Sequence, residues 1–239
     1  MLPSNDGGPT TQTVGFFHAP ALAVASLITH GLGLGEANDV YAVEPAHWGS
    51  FDEAMRALVP LPISEWRRQC KALIPLGDWC VMMSNDVGGT DVGANPSWAA
   101  EALGCIAIRA VCVEHGEHDY PARILRVYGP EGRGPLFDMR SITAMDDGGG
   151  WIFHSAGDPF PFEQTERYTQ RRKRDRFTGE MLHQYLRELG VPIVSEPACS
   201  ETIIARQFGS RKSGIDILRE MHPKGQMYVG PGRRTPQGT

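Results

Sequence analysis

Residues 1–55 contain neither Lys nor Arg, and the first cation of the chain is Arg56. A secretory signal needs positive charge ahead of its apolar run, so the apolar stretch from Val14 to Leu34 does not read as one. His18, Pro20, His30 and several glycines interrupt it, which leaves no run of about 20 apolar residues for a membrane span. The stretch is expected to be core.

Cysteine is scarce. The five, at 70, 80, 105, 112 and 199, include no CxxC pair. An odd, scattered set fits reduced thiols and a cytoplasmic protein better than a disulfide framework. Also missing are GxxxxGK[ST], GxSxG and HExxH. Their absence removes the usual signatures of P-loop, α/β-hydrolase and zinc-protease chemistry. Gly and Pro together make up 46 of 239 residues, short of the roughly 25–30% of low-complexity chains.

What is present is an ordinary globular composition, 41% apolar and 21% charged. Residues 1–13, with Pro3, Gly7, Gly8 and Pro9, read as a flexible arm, and 223–239 as a flexible tail. Between them, 14–222 is expected to be one α+β domain.

Strand-length segments rich in β-formers lie at Trp79–Ser84, Cys105–Val113, Ala122–Tyr128, Leu136–Thr143 and Trp151–Ser155. Turn residues at Glu117–Pro121, Gly129–Gly132 and Asp146–Gly150 separate the last four. Short connections require antiparallel neighbours, so the fold class expected is α+β with a mainly antiparallel, five-stranded meander sheet. Within Cys105–Val113 both alternating sets are largely apolar, which predicts a central strand covered on both faces. Arg109 falls on the second of those faces and needs a partner if buried.

N-terminal and C-terminal helices are expected to pack on this sheet. Ser50–Glu53 has capping-box spacing and opens a helix to about Leu58. From Ser64, the spacing of Trp66, Cys70, Leu73 and Ile74 predicts a second helix. Asn95-Pro96 to Gly104 reads as a short capped helix. Thr178 is a cap for a helix with Met181, Leu182, Tyr185, Leu186 and Leu189 on one face, ended by Gly190. A basic helix is expected over about 164–174, and a partly helical tail over Ile203–Met221.

Charge is segregated. Residues 1–55 hold six acids, whereas 164–239 hold fourteen bases and eight acids. The two ends can neutralise one another, or the basic end can steer an acidic partner. Six bases crowd ten positions: Arg167, Arg171, Arg172, Lys173, Arg174 and Arg176. As a helix, Arg167, Arg171 and Arg174 would share one face suited to carboxylate or phosphate. Trp151, Phe153, Glu163 and Tyr168 lie beside it and complete the candidate binding surface; the plainer reading makes the aromatics a core lid.

Other clusters carry less. Asp86 and Asp91, in a glycine-bearing loop after a buried strand, are the candidates for acid–base or cation chemistry. His115 and His118 share a polar loop with Glu117 and Asp119 but lack a metal-binding frame, so no metal and no cofactor is expected. With a sequence pI near 5.9, nucleic acid is not the expected partner. The leading expectation is a cytoplasmic, non-enzymatic protein-interaction module of the inhibitor or immunity type that engages an acidic protein surface. The alternative is an enzyme acting on a phosphorylated or otherwise anionic small molecule, with the 84–91 loop and arginines converging in a cleft.

Overall fold

A computed structural model of the chain describes residues 13–30, 40–46, 70–84, 92–114, 120–133, 137–192 and 202–208. For 29–30, 40–46, 70 and 202–208 only the backbone is described. The expected helix at Ser50–Leu58 and the tail 223–239 lie outside these residues. So does the expected arm, except Thr13, which already belongs to a strand.

The strands are β1 Thr13–Phe17, β2 Val40–Ala46, β3 Cys70–Leu76, β4 Trp79–Ser84, β5 Ala107–Val113, β6 Ala122–Arg133, β7 Asp138–Asp146, β8 Trp151–Ala156 and β9 Thr202–Phe208. They form one sheet in the order β2-β9-β3-β4-β1-β5-β6-β7-β8, and every neighbouring pair is antiparallel. The α+β class and the β5–β8 meander are as expected, but Gly129–Gly132, expected to turn, lies within β6, where the pairing with β7 shifts register between Tyr128 and Arg133. The strand count also differs. Five expected strands correspond to β4–β8, but β1 inserts between β4 and β5, and β3, β9 and β2 extend the sheet beyond β4.

Two expected helices are strands where they are described. Cys70–Leu76 is β3, because Ala72 and Ile74 bury into one core and Leu73 into the other. A strand buried on both sides shows no alternation, and its apolar residues mimic a helical stripe. The start of the expected helical tail, from Ile203, belongs to β9 Thr202–Phe208, consistent with its β-branched Thr202, Ile203 and Ile204.

Three helices are described: α1 Ala21–His30, α2 Asn95–Leu103 and α3 Gly179–Glu188. Pro96 sits in the first turn of α2, and Gly104 ends it in the left-handed region at φ 61°. Thr178 caps α3, its Oγ1 accepting the Met181 N–H at 3.3 Å.

The sheet separates two cores. On one face α3 buries Met181, Leu182, Tyr185 and Leu186 against Val14, Ile108, Leu125 and Ile142. On the other, α1 and α2 bury Val24, Ile28, Ala99 and Ala100 against Phe17, Leu73 and Met82. The Val14–Leu34 stretch thus supplies core, as far as it is described. Each fully buried Leu, Ile or Met contributes about 1.5–3 kcal/mol. No helix among the described residues is long and apolar enough to cross a membrane.

Candidate functional site

The basic segment is not a helix. Residues 165–169 and 173–175 form two short 3-10 turns. The reason lies in composition: Tyr168 is the one large apolar side chain between Gln164 and Arg174. Without an apolar stripe an α-helix has nothing to pack. Arg167, Arg171 and Arg174 therefore do not share a helical face.

Polar bonds hold the segment instead. At its start Gly157 has φ 82°, and a Cβ there would collide with the Met139 carbonyl oxygen, so only glycine fits. From β7, Arg140 reaches under the segment with its side chain 2% exposed. Its Nε and Nη2 donate to Glu163 Oε1 and Oε2 at 2.8 and 2.7 Å. Its Nη1 donates to the carbonyls of Ala156 and Gly157, both at 2.9 Å. Glu163 also accepts the Phe160 N–H at 3.0 Å and the Tyr168 hydroxyl at 2.8 Å.

The Tyr168 and Tyr185 oxygens are 3.2 Å apart. Tyr168 has spent its only proton on Glu163, so Tyr185 is the donor in that contact. Tyr185 in turn accepts the Gln164 N–H at 2.7 Å. Burial opposes the Arg140 charge, but its bonds to Glu163 outweigh that and raise its pKa above the usual value. Burial first, then donation of its proton to the Glu163 carboxylate, lifts Tyr168 well above the ordinary phenol range. Glu163 and Tyr168, two of the candidate binding residues, are thus occupied in fastening the segment.

The aromatics are similarly engaged. Phe153 meets the Tyr168 ring at 5.4 Å and lies under the Arg176 guanidinium at 5.5 Å. Arg176 Nε donates to the Gln170 carbonyl at 2.7 Å. Trp151 lies under Arg123, which bonds Glu114. Arg167 is half-buried, and its shielded Nε has no acceptor. What the turn presents to solvent is Arg171, Arg172, Lys173 and Arg174, all exposed. Among the described residues the first three form no ion pair, and Arg174 meets Asp175 only at 3.6 Å.

A second feature lies on the opposite sheet face, beyond the cover of α1 and α2. Register places Arg109 beside Arg126, and Arg126 beside Ser141. In the next row Ile124 pairs with Thr143, and Thr143 with His154. These residues line a groove of about 430 Å³. One Arg126 nitrogen, Nη2, donates to both Asp138 oxygens at 2.9 and 3.0 Å. Strand alternation in the sequence points to Arg109 alone. Nothing there points to the others, because a groove formed by adjacent strands has no linear motif.

Asp86, Asp91, His115 and His118 lie outside the described residues, as do the acidic side chains expected to offset the basic end. Among the described residues no three His, Cys, Asp or Glu side chains are grouped to hold a metal. Cys80 and Cys105 are buried, and burial raises both thiols. Cys112 is pushed up to about 11, by burial first and then by Glu114. None of these three is poised as a thiolate nucleophile.

Buried Lys71, which no sequence pattern marks, lies within 3.4 Å of Ser84 Oγ at the end of β3 and β4. Neither a family model, nor a curated protein, nor a solved structure matches the chain.

Proposed function

We propose that the chain is a cytoplasmic protein-interaction module, of the inhibitor or immunity type, that receives an acidic surface of a partner on the turn Arg171–Arg174. One observation carries this reading: four consecutive exposed cations ride on a segment fastened to the sheet by a buried ion pair. A surface held rigid before contact loses little conformational entropy on binding. Phe153 and Tyr168 are packed beneath it, so the partner meets guanidinium and ammonium groups rather than an aromatic stacking platform. That favours an acidic protein over single-stranded nucleic acid, which needs exposed rings. The free thiols Cys80, Cys105 and Cys112 agree with a reducing compartment.

The test is photo-crosslinking in the cell of origin. A photoreactive residue replaces Arg172 in one version of the chain and Glu188, exposed at the end of α3, in another. A discrete protein adduct is expected from position 172 and not from 188. Equal adducts at both, or none at 172, would remove the reading.

A further inference from the structure

We propose that the groove over β5–β8 binds a small organic molecule through an oxyanion, held by Arg126 with Ser141, Thr143 and His154 beside it. The site does not include the exposed cations of the basic turn, although Arg140 and Gly157, which anchor that segment, also line the groove. Along β8, Trp151 and Phe153 face the α3 core, whereas His154 belongs to the opposite side with Thr143.

Three observations converge. First, Arg109 and Arg126 are direct cross-strand partners, an arrangement in which like charges repel. Arg109 has interactions of its own, so Arg126, placed between Arg109 and Ser141, is the cation offered to a ligand.

Second, Arg126 is prepared but incomplete. Asp138 fixes it through Nη2 alone, and its ring-to-cation contact with Tyr128 at 5.4 Å holds the guanidinium further. Its Nη1 hydrogen-bonds no described residue and, unlike its Nε, is not shielded from solvent. A guanidinium N–H that solvent can reach is free to donate to an oxyanion, the strongest acceptor for it.

Third, the lining is that of a small-molecule site. Hydroxyls of Ser141 and Thr143 and the exposed His154 imidazole add hydrogen-bonding groups. Ile124, Met139 and Met145 supply apolar wall for a carbon skeleton. The volume, about 430 Å³, lies in the range of roughly 300–1,000 Å³ typical of ligand pockets. Carboxylate and phosphate share the required chemistry.

The experiment is an amide-resolved NMR titration of the full chain at constant ionic strength, with inorganic phosphate in one series and glutarate in the other. Saturable shifts concentrated at Arg109, Arg126, Ser141, Thr143 and His154 are expected with at least one probe. The more effective probe identifies the oxyanion. Arg126→Gln should weaken binding about tenfold or more, the effect of losing a charge-assisted hydrogen bond. Arg171→Glu/Arg174→Glu should leave it unchanged, so failure of the interaction reading and failure of this one are distinguishable.

Non-saturating shifts with both probes would overturn the proposal, as would shifts confined to 171–174. Undiminished binding by folded Arg126→Gln would do the same. Should that variant not fold, Thr143→Val/His154→Ala takes its place: weakened binding supports the site, and undiminished binding overturns it.

Discussion

Arg140 on β7 and Glu163 in the crossing segment, 23 residues apart, meet through two parallel hydrogen bonds of 2.8 and 2.7 Å with side chains almost wholly out of solvent. Their remaining bonds go to the Ala156, Gly157 and Phe160 backbone and to Tyr168. Together with Phe160 and Phe162, which pack against the α3 core, the pair ties the crossing segment to the sheet and sets where the exposed cations stand.

Removing one member leaves the other charged and buried. Arg140→Ala or Glu163→Ala should each cost about 3–5 kcal/mol, whereas replacing both by apolar residues should cost far less. Urea denaturation measures the stabilities. Hydrogen exchange across 165–176 should rise in the single variants before the rest of the sheet is affected.

Gly157→Ala tests the same fastening from the backbone. Its φ of 82° and the Met139 carbonyl oxygen, which occupies the space a methyl group would need, leave no room for a side chain. A loss of about 1–3 kcal/mol is expected by urea denaturation. A neutral result would mean that the turn relaxes freely.

The exposed charges should matter little to folding. Reversing Arg171, Arg172, Lys173 and Arg174 together is expected to shift stability by about 0.5 kcal/mol or less per site, since none is buried. Circular dichroism and urea midpoints check this, and it makes the variant a clean reagent for binding.

His183 supplies a pH dependence. Burial first, then the nearby Arg187, lowers its pKa below 6.5, and its Nε2 is shielded without a partner. The unfolded chain therefore takes up the proton more readily than the folded one, so this contribution is present above pH 6.5 and is lost as pH falls through the lower folded value. The urea midpoint should drop between neutral pH and the acid side of that range. His183→Leu should flatten the drop and stabilise by about 1 kcal/mol through loss of an unsatisfied polar group.

Local chemistry made β4–β8, α2 and α3 legible. Their turns, Pro96, Gly104 and the Thr178 cap act within a few residues of the elements they bound. What could not be read depends on distance along the chain. β1 pairs with β4 and β5 across more than sixty residues, and β3 pairs with β9, so neither insertion has a local signal. Fully buried β3 imitates a helix. The basic segment does so too, because spacing of its arginines fits a helix while its stability comes from Arg140 and Glu163. Of the candidate surface, the exposed cations were legible from composition. The groove was not, since Arg109, Arg126, Ser141 and Ala156 come together only through strand register.

The most direct measurement of the interaction surface is quantitative affinity capture from the native cell, with wild type and the four-fold charge reversal at Arg171, Arg172, Lys173 and Arg174 as baits. A stoichiometric protein with an acidic surface should be retained by wild type at low salt, released as salt rises, and absent from the variant, as electrostatic docking requires. Retention of the same protein by the variant, or indifference to salt, would contradict the central role of that turn.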